Sequence, residues 1–281
     1  MNAAAAPLSK TPYAAFLKAE VAPPSEAAQA AIAAGPYPPH LFPPLERAPS
    51  LVARRNAEVP TGFALRPDGE VRVFDRTPMP GVSPEMWTWW FGWHGDAPGR
   101  YQLWHPKAHV AAVWVDGAGD TGAYLGRESH ITEYLGGQKV RGSIRFVPPA
   151  ELGIDEAQLK ARGEICICGR IGPQFPKADI GWLVHHVYPT SAEAGAQSSE
   201  MQSYFWLAGP HLAARSGGAW RTSALRAFAK LTGAARQIDP AALLAHCSEE
   251  MAHLATILPG LYAEYGPKGA ASPSTEKEIA Q

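Results

Sequence analysis

The motif HCSEEMAH, near the C-terminal end, carries residues that could bind a divalent metal ion. His246 and Glu250 are four positions apart, so on a helix their side chains emerge on one face, one turn apart. Imidazole nitrogen and carboxylate oxygen are both ligands of zinc. Glu249 and His253 lie near the same helical face and are alternative ligands. Alone, the pair is more typical of solvated surface charges, so a metal site needs further ligands from elsewhere in the chain.

Two such ligands occur in or next to predicted strands. His109 comes directly before the apolar segment 110–115, and His105 is its nearby alternative. In the segment HITEYL, strand alternation places Ile131 and Glu133 on one face. A glutamate that shares a face with apolar side chains must be paired, bound to a metal or located at a sheet edge. We expect His109 and Glu133 to complete the site, with a solvated edge position for Glu133 as the alternative.

Consecutive histidines interrupt an otherwise apolar predicted strand at residues 182–188. Alternation directs one of His185 and His186 inward and the other outward. An inward imidazole is a candidate proton donor or acceptor, because its ordinary pKa of about 6.5 suits chemistry near neutrality. The alternative is a buried histidine that is satisfied by a backbone carbonyl.

Tryptophans are concentrated in one part of the chain. Of nine in total, six lie between residues 86 and 114: Trp87, Trp89, Trp90, Trp93, Trp104 and Trp114. Large flat rings suit a pocket for a flat apolar ligand, and we take Trp90 and Trp104 as candidate substrate contacts. A tryptophan-rich core without a ligand is the alternative.

The elements that must position these residues form a pattern of strands enclosed by helices. Helices are predicted at residues 13–21, 25–34, 83–93, 219–234 and 240–258, the last ended by Pro259-Gly260, with a Gly/Pro turn at 95–99. Strands are predicted at 71–75, 110–115, 130–135, 140–147, 164–171, 182–188 and 200–207. Without βαβ alternation, this order favours an α+β fold in which a curved antiparallel sheet surrounds the long C-terminal helix. Residues 1–64 are predicted as a helical, Pro-rich N-terminal arm, 65–265 as the main domain and 266–281 as a disordered tail.

Composition and missing motifs exclude several classes of function. The formal net charge of the 281 residues is −1, which leaves no basic footprint for nucleic acid. No apolar run approaches the roughly 20 residues that span a bilayer, and no signal peptide is recognised. Phosphate-binding loops and a GxSxG nucleophile motif are also missing from the sequence. Three cysteines form no disulfide framework, so we expect a cytoplasmic protein. From the charge and the apolar runs we expect no nucleic-acid or membrane partner.

Several segments, in order, resemble one enzyme family. WTWWFGWH, RYQLWHPKAH, HITEYLGG, SEMQSYFWLAG and HCSEE are similar to segments of the 2,4-diacetylphloroglucinol hydrolase and phloretin hydrolase family. The resemblance covers about residues 84–265. It implies a Bet v 1-like helix-grip catalytic domain, a small helical N-terminal part involved in dimerisation, and a zinc ion bound by two histidines and two glutamates.

The resemblance also implies roles for individual residues. The zinc ligands would be His109, Glu133, His246 and Glu250. Tyr101, eight residues before His109, would hydrogen-bond the substrate. The family's strand histidine falls on His185, with the adjacent His186 as the other choice for this catalytic position. Tyr204 lies in the segment similar to the family's FWLG strand and is taken as a substrate contact, although the residue here differs from the one expected.

The implied activity is hydrolysis of the carbon–carbon bond between an acyl group and a polyhydroxylated aromatic ring. An acylphloroglucinol or phloretin-like substrate would yield a carboxylic acid and the deacylated phenol, and the enzyme would be a homodimer. Two other functions stay open at this point. One is a non-catalytic module that binds aromatic ligands, which has no need for the four ligands to converge. The other is a metal enzyme with different chemistry on an aromatic substrate.

Overall fold

An antiparallel sheet organises the computed structural model, which describes residues 8–55, 58–190, 197–233 and 238–267. Within these residues it has eight strands in the order β1-β2-β9-β8-β6-β5-β4-β3, and β7 and β10 form a separate ribbon. The strands are β1 Gly62–Leu65, β2 Val71–Pro80, β3 His109–Trp114, β4 Glu128–Leu135, β5 Gln138–Val147, β6 Ile165–Pro173, β7 Ala178–Asp179, β8 Gly181–Pro189, β9 Ser198–Leu207 and β10 Ala213–Ala214.

The helices precede, interrupt and follow the sheet. They are α1 Glu26–Ala34, α2 Ala48–Arg54, α3 Pro84–Trp93, α4 Pro98–Trp104, α5 Glu156–Ala161, α6 Gly218–Thr232, α7 Pro240–Ala255 and α8 Leu258–Tyr265. The start of the long helix α7 is fixed by its N-cap. The Asp239 carboxylate accepts hydrogen bonds from the Ala241 and Ala242 amides, and Pro240 occupies the first turn. In the described part of the chain, every helix is too short or too polar to cross a lipid bilayer.

Helix α7 lies inside the curve of the sheet. It packs against β1 and β2 at one end of the strand order and against β4 near the other end. Eight strands in a flat sheet would span about 34 Å, at about 4.8 Å per strand, whereas a helix is only about 10–12 Å across. The sheet must therefore curve around α7. The predicted α+β class and helix-grip arrangement are confirmed, and they place the α7 side chains against β3 and β4.

The N-terminal segment packs on the same chain. Phe42 and Val52 join the apolar cluster on the outer face of the sheet, and the Trp206 indole donates a hydrogen bond to the Pro43 carbonyl at 2.9 Å. On the other side, α1 packs against α7. The predicted boundary between residues 64 and 65 falls inside β1. A dimer contact through this segment stays a prediction, and most of the predicted disordered tail, residues 268–281, lies outside the described residues.

Prolines explain two of the differences from the predicted elements. Residues 98–104 form α4, where a turn was expected at 95–99, because Pro98 occupies the first turn of a helix rather than ending one. Pro259 likewise lies in the first turn of α8 instead of only stopping α7. The helix predicted at residues 13–21 is reduced to a short 3-10 turn, Ala14–Phe16.

Candidate metal centre and active-site cavity

Four of the predicted ligands meet where α7 crosses β3 and β4. His109 and Glu133 are directly paired in the β3–β4 register, and His246 and Glu250 project from one turn of α7. The Nε2 atoms of the two histidines are 3.2 Å apart. The distances from the imidazole Nε2 atoms to the carboxylate Oε2 atoms are 3.3 Å for His109–Glu250, 3.7 Å for His246–Glu250, 3.8 Å for His109–Glu133 and 3.9 Å for His246–Glu133.

These separations suit a small cation. Tetrahedral ligands at about 2.0–2.2 Å from a zinc ion lie about 3.3–3.6 Å from one another. Ligand atoms of His109, His246 and Glu250 all lie within 4.8 Å of one another, so these three residues form a cluster that could hold a metal ion. Glu133 borders the cluster through its contacts with both histidines.

Burial sets the protonation of this cluster. It lowers the pKa of His246 to about 3 and, together with the neighbouring His246 and His105, the pKa of His109 well below its ordinary value. Burial raises the pKa of Glu133, and it raises that of Glu250 well above the ordinary value, with the Glu133 charge adding to the effect. Neutral imidazoles are the form that binds metal, and a divalent cation would offset the charge of two buried carboxylates.

The tautomer of His109 also fits a metal ligand. Its Nδ1 atom is 3.1 Å from the Tyr101 carbonyl oxygen, which can only accept a hydrogen bond. Nδ1 therefore carries the proton, and the lone pair of Nε2 points into the cluster. A backbone carbonyl on the second ring nitrogen is the usual support of a metal-bound histidine.

The alternative ligands lie outside the cluster. His105 accepts a hydrogen bond from the Ala108 amide through Nδ1, at 3.1 Å, so its Nε2 carries the proton and donates to Glu249 at 3.2 Å. This arrangement leaves His105 no lone pair for a metal, and its ring instead stacks on His246 with centroids 5.2 Å apart. His253 is buried one turn beyond Glu250 and is not part of the ligand cluster.

Tyr101 supports two of the ligands. Its ring lies face to face on the His109 imidazole, with centroids 3.9 Å apart and planes 3° apart. Its hydroxyl donates a hydrogen bond to Glu133. Burial, with Glu133 and Glu250 nearby, raises the pKa of the phenol well above its ordinary value, so the hydroxyl keeps its proton. The predicted contact between Tyr101 and a substrate stays a prediction, but the residue does line the adjoining cavity.

A cavity of about 430 Å³ opens beside the cluster. Glu133, His246 and Glu250 form part of its wall together with Tyr101 and Trp104. Most of the remaining wall is apolar and comes from α3 and the concave face of the sheet, including Phe91, Ile131, Ile144, Phe146, Leu183 and Phe205. The volume falls in the range of about 300–1,000 Å³ that is usual for small-molecule sites, and the wall matches their apolar character.

The histidine pair on β8 is split between the two faces of the sheet. His185 lines the cavity, and its Nδ1 is 2.9 Å from the Ser203 hydroxyl. Burial lowers the pKa of His185 to about 3, so the ring is neutral. His186 lies on the opposite face, where its Nε2 contacts Glu164 at 2.8 Å. This geometry corrects the inclusion of His186 among the catalytic candidates, because the sheet separates it from the cavity.

Two predicted substrate contacts also lie away from the cavity. Tyr204 is on the outer face of the sheet, where it stacks on Trp206 and donates a hydrogen bond to the Gln202 side chain at 2.9 Å. Its neighbour Phe205 faces the cavity instead. Trp90, on α3, is fully buried in the hydrophobic core. Of the two candidate tryptophans, only Trp104 lines the cavity. Both corrections amount to one position along an element. On β9 the side chain that faces the cavity is Phe205 rather than Tyr204, and on α3 it is Phe91 rather than Trp90.

Comparison with known proteins adds the family. The model of the DAPG hydrolase PhiG domain matches residues 41–263. The chain belongs to this family. The matched range contains the four clustered residues and both sides of the cavity, and it crosses the predicted boundary at residue 64.

Named relatives of the DAPG hydrolase family agree with this assignment. The chain is 27% identical to the 2,4-diacetylphloroglucinol hydrolase of Pseudomonas protegens over 271 residues, which is 92% of this chain and 86% of the relative. It is 27% identical to the phloretin hydrolase of Eubacterium ramulus over 270 residues, 91% of this chain and 90% of the relative. The predicted family and hydrolase class are confirmed.

Solved structures show a more distant likeness. Norcoclaurine synthase from Thalictrum flavum, in complex with dopamine and hydroxybenzaldehyde, aligns at 12% identity with a TM-score of 0.37. The alignment covers 71% of this chain and 91% of that one. The ginseng major latex-like protein 151 from Panax ginseng aligns at 9% identity with a TM-score of 0.33, covering 60% of this chain and 97% of that one.

Several polar residues of the cavity wall in this DAPG hydrolase family member were not predicted from the sequence, among them His94. His94 follows α3 directly and lines the cavity beside Tyr101. A signal was present in the sequence, because His94 lies three positions after Phe91 and so shares its helical face. A histidine on the same face as an inward aromatic residue is a candidate cavity residue.

Proposed function

We propose that this protein is a zinc-dependent hydrolase that cleaves the carbon–carbon bond between an acyl group and a polyhydroxylated aromatic ring. The products are a carboxylic acid and the deacylated phenol. One observation carries the proposal: four potential ligands converge beside a mainly apolar cavity, and three of them lie in its wall, which also contains His185. The names of the relatives, which are hydrolases of 2,4-diacetylphloroglucinol and phloretin, support the substrate class.

The proposed metal ligands are His109, Glu133, His246 and Glu250. Two imidazoles and two carboxylates form a nitrogen and oxygen donor set that suits zinc. When bound, zinc supplies a Lewis acid that polarises the acyl carbonyl of the substrate. Tyr101 contributes by holding His109 through ring stacking and Glu133 through its hydroxyl, so that both ligands keep one orientation.

His185 is the proposed proton carrier. Hydrolysis adds a hydroxyl group to the acyl carbon and a proton to the ring carbon, while the pair of electrons in the broken bond stays with the ring. A neutral imidazole can take the proton that water loses and pass it to the ring carbon. The low pKa of His185 keeps the resting imidazole neutral and makes its protonated form a strong acid, which favours delivery of the proton to the ring carbon of the substrate. Ser203 fixes the other ring nitrogen and so orients the imidazole.

The apolar wall holds the aromatic substrate. Phe91 and Trp104 offer flat aromatic surfaces from the helical side, and the sheet contributes the ring of Phe205 and the aliphatic side chain of Ile131. Such surfaces bind a ring and an acyl chain while they limit the access of bulk water. A wall of this kind explains how a weakly activated carbon–carbon bond is presented to the reactive groups in one orientation.

Assembly and location are part of the same proposal. We propose a homodimer on the basis of the family resemblance, with the N-terminal segment as the contact. A cytoplasmic location is supported by Cys166, Cys168 and Cys247, which are free and buried as expected for a reducing compartment.

The proposal is tested by product analysis on the purified full-length protein. Acylphloroglucinols and phloretin are incubated with the zinc-loaded enzyme, and the acid and phenol are quantified by chromatography. We expect one carboxylic acid and one deacylated phenol for each substrate molecule consumed. Binding of these compounds without any product would instead indicate a binding module. Conversion to products other than an acid and a phenol would indicate a metal enzyme of different chemistry.

A further inference from the structure

His94 has a fixed tautomer. Its Nδ1 atom lies 2.9 Å from the Trp90 carbonyl oxygen, one helical turn earlier. Because a carbonyl can only accept, Nδ1 must carry the proton and donate it. The lone pair of a neutral imidazole is then on Nε2, which can only accept a hydrogen bond. His185 differs, since its partner is a hydroxyl that can donate or accept.

The His94 ring is also fixed in place. It stacks on Trp90 with centroids 5.4 Å apart and planes 16° apart. Trp104 and Phe91 contact it edge to face, at centroid distances of 5.3 Å and 5.5 Å. Tyr101 is a fourth aromatic neighbour, at a centroid distance of 5.9 Å. These contacts and the Nδ1 hydrogen bond hold the ring in one orientation, so its acceptor atom has a fixed direction.

His94 belongs to the wall of the cavity and is 3% exposed. Its side-chain hydrogen bond within the described residues is the Nδ1 contact with Trp90. Nε2 is not one of the fully buried unpartnered atoms of these residues, so it is open to a ligand. Arg100, the cation whose charge acts on His94, directs its guanidinium to the Trp93 carbonyl and to Asp120. Burial lowers the pKa of His94 to about 4, so the acceptor form is the one present at neutral pH. Nε2 can therefore accept a hydrogen bond from a donor group on a ligand in the cavity.

We propose that His94 is a substrate-recognition residue that accepts a hydrogen bond from a free hydroxyl group on the substrate ring. This inference rests on the proposed function for the nature of the ring and extends it to a requirement on the substrate. In an analogue, the ring hydroxyl that would donate to Nε2 can be methylated or missing. An ether oxygen or a C–H group then lies against Nε2, and neither can donate a hydrogen bond to it. His94 therefore selects rings with an unalkylated hydroxyl at one position.

The test compares substrates and variants together. The substrates are an acylphloroglucinol and two sets of analogues, in which the hydroxyl ortho or para to the acyl group is methylated or removed. The variants are His94→Phe, which keeps a flat ring without an acceptor, and His94→Gln, which restores an acceptor. Circular dichroism and zinc content establish that each variant is folded and loaded.

We expect the wild type to lose at least about tenfold in kcat/KM with one set of analogues. His94→Phe should lose a similar factor on the full substrate and no longer discriminate against that set, and His94→Gln should recover part of the discrimination. If His94→Phe lowers kcat/KM for all substrates by the same factor, or if its preference matches the wild type, the proposal is overturned.

A binding measurement separates this proposal from the proposed function. Calorimetry of phloroglucinol and its mono-methyl and tri-methyl ethers needs no catalytic turnover. We expect the wild type to prefer phloroglucinol over the tri-methyl ether and His94→Phe to show a smaller preference. Equal affinities in the wild type, or no binding of phloroglucinol, would overturn the role of His94. Absence of hydrolysis with this preference intact would count only against the proposed function.

Discussion

The hydroxyl of Tyr101 donates a hydrogen bond to the carboxylate of Glu133. The same side chain stacks on His109, whose partner in the β3–β4 register is Glu133. One aromatic residue of α4 thereby fixes two side chains from two strands. These contacts matter because the distances between the potential ligand atoms depend on the orientation of the His109 and Glu133 side chains. The backbone of a strand does not fix that orientation by itself.

Replacement of Tyr101 by Phe should weaken metal binding. The substitution preserves the ring stacked on His109 and removes only the hydroxyl that holds Glu133. Loss of such a supporting hydrogen bond typically reduces metal affinity by about 10–100-fold. A competitive titration of zinc against a chromogenic chelator measures the change, and thermal unfolding serves as the control for folding. An affinity equal to that of the wild type would contradict the supporting role of Tyr101.

The two adjacent histidines should differ in their effects. His185→Ala should lower kcat by about 10²–10⁴-fold while zinc content is unchanged, because it removes the proposed proton carrier. His186→Ala is its matched control. It should lower the melting temperature, since it leaves Glu164 without one of its buried partners, but it should retain kcat per folded molecule. Loss of activity only in the His186 variant would reverse the assignment.

Glu70 should make the free energy of unfolding depend on pH in the acid range. Its carboxylate accepts hydrogen bonds from Arg72 at 2.7 Å and His211 at 2.8 Å. Burial alone would raise the pKa of Glu70, but these two partners outweigh it and lower the pKa from 4.5 to about 2. A lowered pKa in the folded state means that the stabilisation is fully present above pH 4.5 and is lost as the pH falls through about 2.

Urea unfolding at a series of pH values measures this effect. Glu70→Gln should be less stable than the wild type at pH 6, and the difference in unfolding free energy should shrink between pH 4.5 and 2. The same substitution at the exposed Glu46 is the control for replacing a glutamate by glutamine. A difference between Glu70→Gln and the wild type that stays constant over this range would contradict the account.

Local patterns in the sequence were sufficient for much of the site. The spacing of His246 and Glu250 predicts a shared helical face, and alternation predicts that Glu133 points inward with Ile131. The structure places all three as expected. These predictions depend on periodicity within one element, which the sequence contains directly. The caps of α1 are equally local. The Ser25 side chain accepts a hydrogen bond from the Ala28 amide, and the Gly35 amide donates to the Ala31 and Ile32 carbonyls.

Relationships between elements could not be predicted in this way. Alternation shows that His185 and His186 face opposite sides, but which side holds the cavity depends on how the sheet curves around α7. The assignments of Tyr204 and Trp90 to the cavity have the same limitation. His105 and His109 are distinguished by their positions relative to the ligand cluster and by the hydrogen bonds, to Ala108 and Tyr101, that set their tautomers. The packing of the N-terminal segment on the outer face is also a contact between distant parts of the chain.

Removal and return of the metal tests the central claim most directly. Zinc content and hydrolysis of an acylphloroglucinol are measured for the protein as purified, after dialysis against a chelator, and after zinc is added back, with His246→Ala and Glu250→Gln in parallel. We predict about one zinc per chain, loss of hydrolysis on chelation, its recovery with zinc, and little zinc or activity in either variant. Full hydrolytic activity in protein shown to be free of metal would contradict the proposed mechanism.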